Sequence, residues 1–227
     1  MPPSDSAPAA DATTLELLTI IQARVLGCLV EKESTTPDGY PMTANAVVLA
    51  CNQKTSRDPV VELEPGAVGH TLRELEDRRL VASVHGARAQ RYEHRFARAY
   101  SVTRPQQALL AMLLLRGAQT LAELLTRCER MAAFDDVVQV RDALDRLAQR
   151  SPALAVNLGR VTGQREDRYM HLLCGPVAAQ DHLGKDHAPP SSNSRAALEA
   201  RVDALEDAMQ TLRDEFAQLR VSGSPTD

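Results

Sequence analysis

Aromatic residues are scarce in this chain, tryptophan is missing and lysine nearly so. Aromatics make up 3% of the 227 residues, too few for the stacking platforms that hold single-stranded nucleic acids. Of 26 basic residues only Lys32, Lys54 and Lys185 are lysines, a skew that reads as genome composition rather than a choice of arginine for phosphates. No apolar run approaches the roughly 20 residues a membrane span needs, so no membrane partner is expected. The opening MPPSDSAPAADATT has neither a basic start nor an apolar core. Residues 1–17 therefore read as a disordered leader and not as an export signal. Cys28, Cys51, Cys128 and Cys174 form no CxxC or Cys/His cluster, so no metal site is expected and the four read as reduced thiols of a cytoplasmic protein.

What is present is ordinary in amount and uneven in placement. Apolar residues at 44% and charged ones at 25% suit a globular protein with a full core. The net charge of −4 divides into −3 over residues 1–18, +1 over 19–100, +2 over 101–180 and −4 over 181–227. Two slightly basic segments thus lie between acidic flanks.

The organising stretch runs from His70 to Phe96. Val68, Leu72, Leu75 and Leu80 recur at helical intervals, Val81–Val84 switches to a strand pattern, His85-Gly86-Ala87 suits a turn, and Arg88–Phe96 runs back. Upstream, a first helix over 18–33 carries an apolar stripe of Leu18, Ile21, Val25, Cys28 and Leu29, with Thr19 as N-cap. A Pro37-Asp38-Gly39 turn, a short strand at Tyr40–Met42 and a second helix capped by Thr43 follow. Pro65 opens the third helix. Helix, strand, helix, helix and hairpin in that order read as a winged helix-turn-helix.

The pattern then recurs. Residues 105–116 supply a first helix, 120–130 a second with Thr120 and Glu123 as a capping box, and 135–150 a third. A longer hairpin covers 154–173. Leu72-x-x-Leu75 answers Leu144-x-x-Leu147, and Arg91-Tyr92-Glu93-His94 answers Arg168-Tyr169-Met170-His171. The expected fold is mainly α with small β-hairpins (α+β): tandem winged helices over 18–100 and 101–177. A polar linker at 178–194 leads to a heptad-patterned helix at 195–220 and a tail at 221–227. Leu198, Val202, Leu205, Met209, Leu212, Phe216 and Leu219 alternate spacings of 4 and 3. Three heptads need a partner, either a second copy in a homodimer or the chain's own domains.

Several blocks carry a resemblance. Ala23–Glu33, Thr36-Pro37-Asp38-x-Tyr40-Pro41 and Ala50-Cys51-Asn52-Gln53-Lys54-x-x-Arg57-x-Pro59-Val60 resemble the bacterial YceH-like family. Tyr92–Phe96, Leu113–Thr120 and Gly163-Gln164-Arg165-Glu166-x-Arg168-Tyr169 extend the likeness over about residues 18–175. The resemblance implies a tandem winged-helix protein and carries no biochemical activity with it.

The candidate nucleic-acid contacts lie in the first repeat. Residues 79–98 hold Arg79, Arg88, Arg91, Arg95 and Arg98 against the single acid Glu93. Strand alternation would set Arg91 and Arg95 on one face, toward phosphates or a minor groove. Lys54 and Arg57 project from a polar loop that suits a phosphate, a peptide or the capping of the second helix. On the third helix only His70, Thr71 and Arg73 are candidate base readers, and acids outnumber bases there. The candidate nucleic-acid contacts are therefore Lys54, Arg57, Arg73, Arg88, Arg91 and Arg95. Tyr-x-His lacks a nucleophile and an orienting carboxylate at any identifiable spacing, so no enzyme and no cofactor is expected. Two partners remain open: double-stranded DNA at the basic wing, or a protein held by the winged-helix surfaces and the C-terminal helix.

Overall fold

Threonine hydroxyls start three of the helices. In a computed structural model, which describes residues 16–85, 89–160, 166–176 and Met209, Thr19 accepts the Gln22 N–H while Gln22 answers its backbone N–H, opening α1 (Ile20–Thr35). Thr43 does the same for α2 (Ala44–Cys51), accepting the Ala46 N–H. Thr120 and Glu123 form the expected capping box at α6 (Leu121–Cys128). Each hydroxyl satisfies a helix N–H that has no partner inside the helix, contributing about 1 kcal/mol.

The chain is α+β. After α1 come β1 (Met42–Thr43), α2, α3 (Pro65–Asp77), and a hairpin of β2 (Val81–His85) and β3 (Gln90–His94). A one-turn helix α4 (Phe96–Tyr100) leads to α5 (Arg104–Arg116). Then the order recurs with β4 (Gln119–Thr120), α6, α7 (Val137–Ala148), β5 (Ala155–Arg160) and β6 (Asp167–His171). Both sheets are antiparallel and place the last strand in the middle: β1-β3-β2 and β4-β6-β5. Tyr92 lies opposite Met42 and Ser83, and Tyr169 opposite Gln119 and Asn157, both rings facing inward. The repeated Tyr-x-His of the sequence is therefore a core position of the middle strand. The second hairpin carries a bulge between Asn157 and Gly159, where Gly159 adopts φ 73° and its N–H reaches Asn157 Oδ1 at 2.8 Å.

Two strand and helix expectations are corrected. Arg95 and Phe96 do not continue the second wing strand, because Arg95 turns to φ −115°, ψ 24° and α4 begins at Phe96. The α1 stripe is also too narrow a description. Every residue from Gln22 to Glu31 is buried, because α5, itself buried from Gln107 to Leu115, packs on the side away from α2 and α3. Gly27 is the close-approach point: an added Cβ would stand 3.0 Å from Leu115 Cγ and 3.2 Å from Leu114 Cβ.

Residues 1–182 cluster as one unit and 183–227 as another. The heptad segment lies outside the described residues apart from Met209, which is helical and 50% exposed. Among the described residues no helix is long and apolar enough to cross a membrane.

Candidate nucleic-acid interface and an arginine-lined cleft

Arg57, placed among the candidate DNA contacts from its polar loop, is committed to the interior. Its side chain is 0% exposed and forks onto Glu31, with Nη1 to Oε1 at 3.0 Å and Nη2 to Oε2 at 2.6 Å. Nε donates to Ala50 O at 3.0 Å, so the guanidinium also caps the end of α2. Burial opposes its charge, but the Glu31 bond and the Cys28 thiol hold its pKa above the ordinary value. A buried pair with both ends satisfied in this way fixes the loop against α1 and offers nothing to solvent. Cys28 and Cys51 lie beside it, fully buried and in mutual contact, and that contact together with burial pushes the Cys51 thiol up.

The other candidates are scattered more widely. Lys54 is exposed on the loop, and Arg73 is exposed on α3; neither has a carboxylate in ion-pair range among the described residues. Arg91 is exposed on β3, where Nη1 donates to Pro41 O at 2.7 Å. The remaining donors of its guanidinium stay open to solvent. Arg95 pairs with Glu93 at 2.7 Å, so the acid of the hairpin neutralises it, and it lies beyond the end of the strand that carries Arg91. Arg88 lies outside the described residues. On α3, His70 is engaged by Glu74 at 3.1 Å, which leaves Arg73 as the free cation of that face.

Arg79 and Arg98 are separated by 19 positions in the sequence, with no local pattern that joins them. The fold does, around a cleft of about 710 Å³ between the end of α3, β2 and α4. Arg78, Arg79, Arg95 and Arg98 line it, with Leu80, Val81 and Ala82 along one side and Ala99 and Tyr100 along another. Arg78 is already consumed: it donates to Gln22 Oε1 and Glu16 O, both at 2.7 Å, and its Nε is 3.2 Å from Glu16 Oε1. Glu76 accepts the outward N–H of Ser83 at 2.9 Å, a neutral donor that leaves its negative charge at the cleft. Burial raises the Tyr100 hydroxyl to about 12, which keeps it neutral. Arg79 and Arg98 have no carboxylate in ion-pair range among the described residues.

Arg79 is held there under strain. It follows the last turn of α3 at φ 57°, with its N–H on Glu76 O at 2.8 Å and the Leu80 N–H on Leu75 O at 2.9 Å. These are the two bonds of a Schellman ending, whose left-handed residue is usually glycine. Arginine there costs about 1 kcal/mol relative to a residue free of Cβ. No local sequence signal distinguishes such an arginine from an ordinary helix-end cation.

The second repeat presents a different face. Asp136 accepts the Val138 and Gln139 N–H groups at the start of α7, both at 2.9 Å, and Asp135 holds the Gln139 side chain at 2.6 Å. Val137 and Val138 are 39% and 58% exposed beside them. Among the described residues, no group of three or more His, Cys, Asp or Glu stands close enough to hold a metal.

Fold and surface together define an α+β protein with one element order used twice, with exposed arginines in both copies and an acid-capped, apolar helix start in the second. The chain belongs to the family described as "Protein of unknown function, DUF480", which matches residues 18–164. It is 52% identical over 209 residues to a UPF0502 protein of Stenotrophomonas maltophilia, covering 91% of this chain and 95% of that one. A UPF0502 protein of Pseudomonas aeruginosa is 54% identical over 190 residues, covering 82% and 84%. One from Mesorhizobium japonicum is 50% identical over 199 residues, covering 88% and 94%. The family resemblance of the sequence blocks is borne out, and no enzymatic name occurs among these relatives.

Proposed function

We propose that the chain is a non-enzymatic tandem winged-helix protein that binds duplex DNA through its first repeat, in a transcription-related role. One observation carries the reading: Lys54, Arg73 and Arg91 are exposed on the loop, α3 and wing of the same repeat, with no carboxylate partner among the described residues. The contact is to phosphates rather than base edges. Arg73 is the sole free cation of α3, with His70 paired to Glu74, and one side chain does not make a sequence code.

Anisotropy titration of mixed-sequence duplex DNA at about 50 and 150 mM salt tests this. Three neutralised phosphates give a log–log salt slope of about −2.7, or roughly 20-fold weaker binding at the higher salt. Arg73→Ala with Arg91→Ala leaves one contact and cuts that ratio to about threefold. No binding by the full chain at the lower salt overturns the reading. The alternative is then a protein scaffold, favoured by the exposed Val137 and Val138 between acids at the start of α7.

A further inference from the structure

We propose that the cleft between α3, β2 and α4 binds a small phosphate monoester with an apolar body. The proposal does not depend on DNA binding. The cleft volume of about 710 Å³ falls within the roughly 300–1,000 Å³ of small-molecule sites. Its charge is specific in amount. Of the four arginines lining it, Arg78 is paired with Glu16 and Arg95 with Glu93, leaving Arg79 and Arg98 without an ion-pair partner among the described residues against one unpaired carboxylate, Glu76. Two guanidiniums outweigh the single Glu76 carboxylate and suit the planar, forked recognition of a phosphate monoester.

The rest of the lining selects the body of the ligand. Leu80, Val81, Ala82, Ala99 and the neutral Tyr100 offer apolar surface beside the charge. A nucleic-acid backbone gains nothing from that wall, whereas an alkyl or aryl ester of phosphate buries its body against it. The arginine at the left-handed position 79 agrees with this, since glycine would end the helix without strain. Strain of this kind persists where the side chain has a task that glycine cannot perform.

Calorimetric titration of the full chain with three probes tests the site: 1-naphthyl phosphate, inorganic phosphate and 1-naphthol. The ester should bind at one saturable site, about tenfold or more tighter than either part alone, because charge and apolar contact act together. Arg98→Ser and Arg79→Gly should each weaken it by about tenfold, the loss of one charge-assisted contact. Arg79→Gly also removes the left-handed penalty, so its melting temperature should equal or exceed that of the parent, which separates lost binding from lost folding. Absence of saturation by about 10 mM ester, a level weaker than any metabolite site requires, overturns the proposal. So does parental affinity in the double variant. Duplex DNA affinity lost in these variants without any for the ester also overturns it, and assigns both arginines to a nucleic-acid surface.

Discussion

His94 closes β3 with its side chain 5% exposed, and its two ring nitrogens have fixed roles. Nδ1 accepts the Phe96 N–H at 3.2 Å, so the neutral ring carries its proton on Nε2, 3.0 Å from Glu33 Oε2. Protonation would put a hydrogen on Nδ1 facing that N–H. Burial lowers the His94 pKa, and the Glu33 and Glu93 carboxylates oppose this without cancelling it. The folded pKa therefore lies below the unfolded value near 6.5. The stabilisation is complete above pH 6.5 and is lost as pH falls below it toward the folded pKa. Urea midpoints should accordingly be lower at pH 5 than at pH 7.5, and His94→Gln should flatten that difference. A slope unchanged by the substitution would place the titration elsewhere.

The same scale shows what a sequence reveals about single residues. Thr19, Thr43 and Thr120 were legible as caps because a cap acts on residues two or three positions away. Arg57 was not legible. Its partner Glu31 lies 26 positions upstream, and nothing local tells an arginine awaiting phosphate from one awaiting a buried carboxylate. Arg95 failed for a smaller reason, a backbone turn of one residue that ended the strand before it.

Among the elements, the pairing of α1 with α5 holds the two copies of the repeated order together. Gly27 permits it, since Leu115 is fully buried and cannot retreat from an added Cβ at 3.0 Å. Gly27→Ala gains about 1 kcal/mol of helix propensity, while overpacking a tight contact costs about 1–3 kcal/mol. The variant should thus be destabilised by about 1 kcal/mol, and Gly27→Val by more. Chemical denaturation measures both; a more stable Gly27→Ala would mean that the helices can part at no cost. Helix positions and the two hairpins were legible from period and repetition, whereas β4 and the order of strands in each sheet were not. The α1–α5 contact was hinted at only by the uniformly apolar Ala108–Leu115, since a helix buried all round loses the periodicity that names its neighbour. The cleft was less legible still, depending on a five-residue helix, α4, that adds Arg98 to the lining that holds Arg79.

At the scale of the whole molecule, the heptads of residues 195–220 bear on how many copies of the proposed DNA-contacting surface act together. Leu198, Leu205, Leu212 and Leu219 repeat every seven residues, with Val202, Met209 and Phe216 between them. That stripe suits a two-stranded seam. Three heptads are too short to hold a helix alone, and pairing between copies would supply the missing burial. Light scattering should then give twice the chain mass for the full chain and the single mass for Leu205→Asp with Leu212→Asp, which places charge in the seam. Pairing has a second consequence that mass alone does not test. A dimer sets two copies of Lys54, Arg73 and Arg91 on one duplex, so its salt slope should be about double that of the monomeric variant. Equal masses for parent and variant would mean that the stripe docks on its own chain. Unequal masses with equal slopes would mean that the paired copies engage DNA one at a time.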